Sequence, residues 1–224
     1  MSKWYLRDNS GNYLTNAAGQ CLYEQINLPT EYQEVDYIQA TGTQYIDTEY
    51  VLKSNNVKME LNAAWTGTTA GTFATYAGFM PSGTTPRFGL HNYSSKIMHG
   101  MNATISVDKA VDKDMHLYVL VGNGSVQNLT IDGVTYAGSG AYSMSSNTLS
   151  MTLFARRTSA SVVGNYMAAK IFRFKLWVDG QVVRHMLPCY RKSDNVIGMY
   201  DVIGKKFHIN KGTGSFTKGA NVSN

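Results

Sequence analysis

Ala168-Ala-Lys-Ile-Phe-Arg-Phe-Lys-Leu-Trp-Val-Asp-Gly-Gln-Val-Val-Arg-His-Met-Leu-Pro-Cys-Tyr190 decides the fold class of this chain. Two apolar-rich runs flank Asp179-Gly180. Asp-Gly between such runs is a strong hairpin signal, because a type I′ turn needs positive φ at both central residues. Ile171, Arg173, Lys175 and Trp177 alternate against Phe172, Phe174, Leu176 and Val178. That alternation predicts a strand with one wholly apolar face and one mixed face. The hairpin is expected to scaffold the core, with Trp177 inside it, and a further ordered segment ends near Tyr200.

The same pattern extends along the chain. Val57-Lys-Met-Glu-Leu61 alternates apolar and polar, and His116-Leu-Tyr-Val-Leu-Val121 reads as a buried strand. Leu129-Thr-Ile-Asp-Gly-Val-Thr-Tyr136 predicts a hairpin with Asp132-Gly133 at its tip. Ser150–Ala155 reads as another strand, and Val196–His208 as a Gly-punctuated pair. Nearer the start, Val35, Tyr37 and Gln39 alternate against Glu34, Asp36 and Ile38. Thr41-Gly42-Thr43 reads as a turn and Gln44–Thr48 as a short strand. Residues 62–104, rich in Gly, Thr, Ser and aromatics, suit short strands with long loops. No stretch predicts an amphipathic helix longer than about three turns. Many short strands in one domain predict an all-β, two-sheet antiparallel jelly-roll sandwich.

Several stretches resemble one family in their order. Leu28-Pro-Thr-Glu-Tyr-Gln-Glu-Val-Asp-Tyr-Ile-Gln-Ala-Thr-Gly-Thr-Gln-Tyr-Ile-Asp-Thr48 is similar to the opening of laminin-G-like, concanavalin-A-like modules of bacterial surface and phage structural proteins. Leu153-Phe-Ala-Arg156, Ala169–Trp177, Val183–Cys189, Ile197-Gly-Met-Tyr-Asp201 and Gly212-Thr-Gly-Ser-Phe216 resemble its closing half. The resemblance spans about residues 28–219 and implies a jelly roll of two antiparallel sheets. Residues 62–104 carry no matching motif. Modules of this fold bind glycans, bind proteins, act as spacers or hydrolyse glycosides, so fold alone does not assign function.

Residues 1–27 precede the module. Tyr5-Leu-Arg-Asp-Asn-Ser-Gly-Asn12 and Tyr13-Leu-Thr-Asn-Ala-Ala-Gly-Gln20 repeat with a period of eight, followed by Cys21-Leu22-Tyr23. Asp and Asn open turns and Gly closes them. This predicts a β-meander of about three short strands, too small to be secure alone. It reads either as an extra hairpin on the domain or as a docking arm carrying Tyr5, Leu6, Tyr13, Leu14, Leu22 and Tyr23. The domain proper is expected over 28–224.

Composition bounds the function classes. The 224 residues suit one large β domain, or a domain with a short appendage. Hydrophobic residues make up 43%, enough for a sizeable core. Charged residues are only 16%, against about 25% in an average globular chain. Polar surface must then come from Ser, Thr, Asn and Gly, a mix common in extracellular and virion proteins. The net charge of +5 is dispersed; its densest cluster, Lys205, Lys206, His208, Lys211 and Lys218, reads as a solvated loop. A nucleic-acid site would show a continuous basic stripe with aromatics, so no nucleic-acid partner is expected. Met1–Asn9 has no apolar signal region, and no run approaches the roughly 18 residues of a membrane span. Neither general secretion nor membrane insertion is expected. Of the two cysteines, Cys189 is expected to be a buried thiol; its pairing with Cys21 stays open.

Chemistry-bearing patterns are sparse. Glu34 and Asp36 would lie about 6–7 Å apart on one strand face, near the spacing of a retaining glycosidase. The third acidic position of such a strand is Gln39, and the segment opens the module, so a solvated strand face is expected. No nucleophile triad, His pair or phosphate loop occurs. No aspartate cluster has calcium-ligand spacing; no metal and no cofactor is expected. Sugar sites combine an aromatic face with planar polar groups, mostly on loops. Trp65, Tyr76, Arg87, His91, Asn92 and Tyr93 in the unmatched stretch, with Arg156, are the carbohydrate-binding candidates. The expected protein is a non-enzymatic bacteriophage virion accessory protein, placed on the particle as decoration, fibre or tail appendage. Its expected partners are virion structural proteins, host-surface carbohydrate and further copies of itself in a homo-oligomer. The alternatives are a bacterial cell-surface glycan-binding adhesin module and a glycoside hydrolase.

Overall fold

The computed structural model describes residues 3–5, 15–18, 23–68, 73–81, 86–101 and 103–223. Along the chain run β1 (Lys3–Tyr5), β2 (Tyr23–Gln25), β3 (Tyr32–Glu34), β4 (Ile38–Thr41), β5 (Ile46–Val51) and β6 (Asn56–Trp65). Next come β7 (Ala74–Phe79), β8 (Phe88–Tyr93), β9 (Lys96–Met101), β10 (Ala103–Ala110), β11 (Met115–Asn123), β12 (Gln127–Ile131) and β13 (Val134–Tyr136). The last are β14 (Ser150–Leu153), β15 (Arg156–Arg157), β16 (Val163–Gly164), β17 (Ala168–Val178), β18 (Gln181–Arg191), β19 (Ile197–Asp201), β20 (Lys206–Ile209) and β21 (Thr217–Lys218).

Two sheets stack face to face. The larger runs β13-β12-β11-β6-β17-β18-β19-β20, with β3, β4 and β21 joining its side. The smaller runs β10-β9-β8-β7-β14-β5, extended by β15 and β16. Pairing is antiparallel except for one bridge between Arg157 and Phe79. The fold is a jelly-roll sandwich, as the strand patterns predict. Between the sheets lie Tyr76, Phe79, Phe88, Leu90, Tyr118, Leu120, Phe174 and Leu176, all buried. Tyr76 and Tyr118 pack with ring centroids 5.5 Å apart, and burial lifts the Tyr76 phenol to about 12.

The β17–β18 hairpin forms as expected. Asp179 and Gly180 have φ of 51° and 78°, the two left-handed residues of a type I′ turn. Ser54 Oγ donates to Asp179 Oδ1 at 2.7 Å and holds the tip. The alternation within β17 is corrected in one place. The register against β6 slips between Ile171 and Arg173. Such a bulge swaps the faces, so Ile171 joins the core while Phe172 stays outside against Tyr37, 5.3 Å away. Past the bulge Phe174, Leu176 and Val178 point inward as predicted. Trp177 therefore faces outward, not into the core; the ammoniums of Lys58 and Lys175 stand 4.7 and 5.1 Å from its ring.

The alternation expected over 34–39 is also corrected. The chain breaks step between β3 and β4, so Val35, Ile38 and Ala40 are buried. Tyr37 lies outside under the Lys170 ammonium, 4.4 Å away. This segment meets the far end of the chain. Val35 bridges Asn221, β4 pairs with β21, and Val222 N–H donates to the Glu34 carbonyl at 3.0 Å.

Within residues 62–104, read as short strands with long loops, the short strands β7, β8 and β9 form, and with β10 they build most of the smaller sheet. β8 and β9 join through Ser94-Ser95, with φ of 49° and 64°. The arm is described only in part. β1 and β2 pair antiparallel, with Tyr5 opposite Tyr23. Leu6, Tyr13, Leu14 and Leu22 lie outside the described residues. Among the described residues this ribbon pairs with neither sandwich sheet. Cys189 is a free, buried thiol, and burial pushes its pKa well up.

Candidate carbohydrate-binding face

The pleat of β8 sorts the candidates. Phe88, Leu90 and Asn92 point into the sandwich; Gly89, His91 and Tyr93 alternate with them and belong to the outer face, and Arg87 immediately precedes the strand. On that face Gly89 lies opposite Gly78 of β7 and Gly100 of β9, so three glycines stand side by side. The row leaves room for the His91 ring. A Cβ on Gly89 would sit 2.4 Å from His91 Cε1, so only glycine lets the imidazole lie down there.

His91 is 4% exposed. Its Nδ1 shares a hydrogen bond of 2.9 Å with Thr75 Oγ1, contributed by the paired position on β7. Phe73, just before β7, packs against it with ring centroids 4.8 Å apart. Tyr93, 45% exposed, stands 5.7 Å from Phe73 on the other side. The Arg156 guanidinium from β15 lies 5.0 Å from the Phe73 ring, and its Nη1 reaches Met80 Sδ at 3.0 Å. Burial, then the charges of Arg156, His99 and Arg87, lowers the His91 pKa to about 3. Burial and the neighbouring Arg87 lower Arg156 as well. The result is a neutral imidazole–hydroxyl pair, two aromatic rings and the Arg156 guanidinium on one side of the smaller sheet.

Three of the sequence candidates thus meet around Phe73, namely His91, Tyr93 and Arg156, and Arg87 lies close enough for its charge to act on His91 and Arg156. Three do not. Tyr76 is wholly buried between the sheets, and Asn92 Nδ2 donates to its hydroxyl at 3.5 Å from the same interior side. Neither can touch a ligand outside the sandwich. Trp65, at the end of β6, packs on the rim of the core with its indole against Gly67. Sequence reasoning omitted Phe73 and Thr75. Period-two alternation would have separated Asn92 from His91 and Tyr93; nothing in the sequence placed Phe73 beside Arg156.

No protein-family model matches the chain, and no curated protein matches it. Solved structures do. The mouse laminin α1 chain, domains LG4–5, is similar over 74% of this chain at 13% identity, with a TM-score of 0.47. This chain spans 48% of that two-domain structure, about half its length. Scytalido-glutamic peptidase, solved with a peptide-based transition-state analogue, is similar over 73% of this chain and 92% of its own, at 10% identity and a TM-score of 0.36. Likenesses this distant bear on architecture at most, and the sandwich assignment stands on the strand order given above.

Other titratable groups lie elsewhere. His116 bridges two carboxylates, with Nδ1 2.5 Å from Asp132 and Nε2 2.6 Å from Asp112, tying the β12–β13 turn to the loop before β11. Burial raises the Asp112 pKa, but hydrogen bonds from His116, the Asp114 amide and Lys109 outweigh it and hold the carboxyl low. The carboxylates of the glycosidase alternative part company: Glu34 is buried opposite Cys189, and Asp36 is exposed.

Proposed function

We propose that this protein is a non-enzymatic accessory protein of a bacteriophage particle and that its jelly roll binds carbohydrate on the outer face of the smaller sheet. The observation that carries the binding is the meeting of the Phe73 and Tyr93 rings with Arg156 and the Thr75–His91 pair. Exposed aromatic surface takes the apolar side of a sugar ring, while fixed hydrogen-bonding groups take its hydroxyls.

The virion assignment is supported by composition and by the arm. Surface polarity comes from Ser, Thr, Asn and Gly with only 16% charged residues. The β1–β2 ribbon presents strand edges that a neighbouring sheet can extend by backbone hydrogen bonds. In this reading residues 1–27 anchor the protein to virion structural proteins, symmetric positions on the particle gather copies into a homo-oligomer, and the sandwich projects toward host-surface glycans.

Two measurements test the reading. Mass spectrometry of purified particles from the source culture should detect the chain; its absence there overturns the virion assignment. A chain lacking residues 1–27 should keep glycan-array binding and lose particle attachment. Loss of glycan binding with the sandwich still folded would move recognition away from the face described here.

A further inference from the structure

We infer that the carbohydrate face selects an acidic saccharide, with a sugar carboxylate seated on the Arg156 guanidinium beside Arg87. This rests on the reading that the outer face of the smaller sheet binds carbohydrate.

The first observation is a contrast with three other arginines. Arg157 meets Asp47 at 2.5 Å, Arg184 meets Asp201 at 3.4 Å, and Arg191 meets Asp194 at 2.6 Å. Each guanidinium has a carboxylate supplied by the protein. Arg156 is different. It is part-buried, yet its contacts among the described residues are a ring and a thioether, Phe73 and Met80. Its Nε is buried without a hydrogen-bond partner, as is that of Arg157, but Arg157 has the Asp47 carboxylate beside it. A guanidinium that donates only to a thioether leaves most of its five donors without an oxygen acceptor.

The second observation is the company it keeps. Arg87 is close enough for its charge to act on both Arg156 and His91. A carboxylate seated on Arg156 is attracted by both charges. A carboxylate fits the planar fork of a guanidinium with two parallel hydrogen bonds. The Phe73 and Tyr93 rings supply the apolar platform that a free inorganic anion would not use. A sugar acid uses both: its ring lies over the aromatics, and its carboxylate reaches the arginine.

The test is a glycan array probed with the full chain, spanning neutral, uronate-bearing, sialylated and sulfated glycans. It is followed by titration with a uronate-bearing oligosaccharide and with the same oligosaccharide after its carboxylates are reduced to alcohols. The expected result is binding confined to carboxylated glycans. Affinity should fall at least about tenfold on carboxyl reduction, and by a similar factor in Arg156→Gln with unchanged melting temperature. Bound carboxylate should also raise the His91 titration seen by NMR, because it offsets the two guanidinium charges. That readout does not depend on any variant folding. Equal binding of the reduced oligosaccharide overturns the acidic class and leaves carbohydrate binding standing. Binding of sulfated glycans alone overturns the carboxylate assignment. No binding to any glycan overturns the underlying reading as well.

Discussion

His91 is a histidine that physiological pH does not reach. Burial and two guanidinium neighbours hold its pKa near 3, and Thr75 completes its hydrogen bonding. Its imidazole should show no titration by NMR between pH 5 and 8 in the unliganded protein; a midpoint near 6.5 would mean the ring sits in water. Gly89 sets that placement. In Gly89→Ala the methyl occupies the imidazole's position; the ring must swing out, and glycan affinity should drop about tenfold or more while the sandwich stays folded, as read by titration and circular dichroism. At this scale the site was only half legible in the sequence. Tyr93 and Arg87 were found because aromatics and arginines in an unmatched stretch stand out. Asn92 and Tyr76 have the same sugar-binding chemistry in the same stretch, but the pleat turns both into the sandwich. Phe73 comes to Arg156 only through strand pairing across the sheet, which no local pattern encodes.

Turns and bulges decide the elements. Gly180 closes the β17–β18 turn at φ 78°, and a Cβ there would meet nothing within 4 Å. Gly180→Ala should therefore cost only the left-handed backbone penalty, about 1 kcal/mol. Gly198 in β19 is the opposite case: a Cβ would lie 2.3 Å from the His208 carbonyl oxygen of the paired strand. Gly198→Ala should be the more destabilising of the two by at least about 1 kcal/mol, because backbone must move. Urea unfolding of both variants checks the ranking. Asp179-Gly180 and Asp132-Gly133 announced their hairpins because both positions of each turn are of types that enter the left-handed region. Ser94-Ser95 makes an equally tight turn without such residues, and so the β8–β9 hairpin inside residues 62–104 carries no turn signal of its own. The bulge at Phe172 was silent for the same reason: it is fixed by β4 and β6 on either side of β17, not by a glycine in the strand.

For the whole molecule, buried histidines set the response to acid. Burial is the main cause in each case: His91, His99 and His185 fall to about 3, 4 and 2 in the folded chain. Unfolded, each returns to about 6.5. Below pH 6.5 the unfolded chain therefore takes up protons that the folded chain refuses, and stability falls as pH falls. The slope approaches about 1.4 kcal/mol per pH unit for each imidazole, until the folded pKa is passed. Urea midpoints should change little from pH 8 to 7 and drop steeply from pH 6 to 4. His99 sits wholly buried with neither ring nitrogen hydrogen-bonded. His99→Leu should remove about one proton's worth of that slope; an unchanged slope would mean that His99 protonates in the folded state. None of this was readable from five scattered histidines, because burial is a property of the assembled sandwich. The sandwich itself was legible, since apolar alternation repeats along the chain.

The zipping of residue 35 to residue 221 has a mechanical consequence. The backbone enters and leaves the sandwich through one hydrogen-bonded seam, β4 against β21 with the Val35–Asn221 bridge beside it. Tension applied between the two ends loads the β3–β18 pairing and that seam before the wide hydrophobic interior. A few peeled hydrogen bonds would release slack while the sheets stay closed. The same closeness lets the sandwich be spliced into a surface loop of an unrelated host without prising the host's loop ends apart.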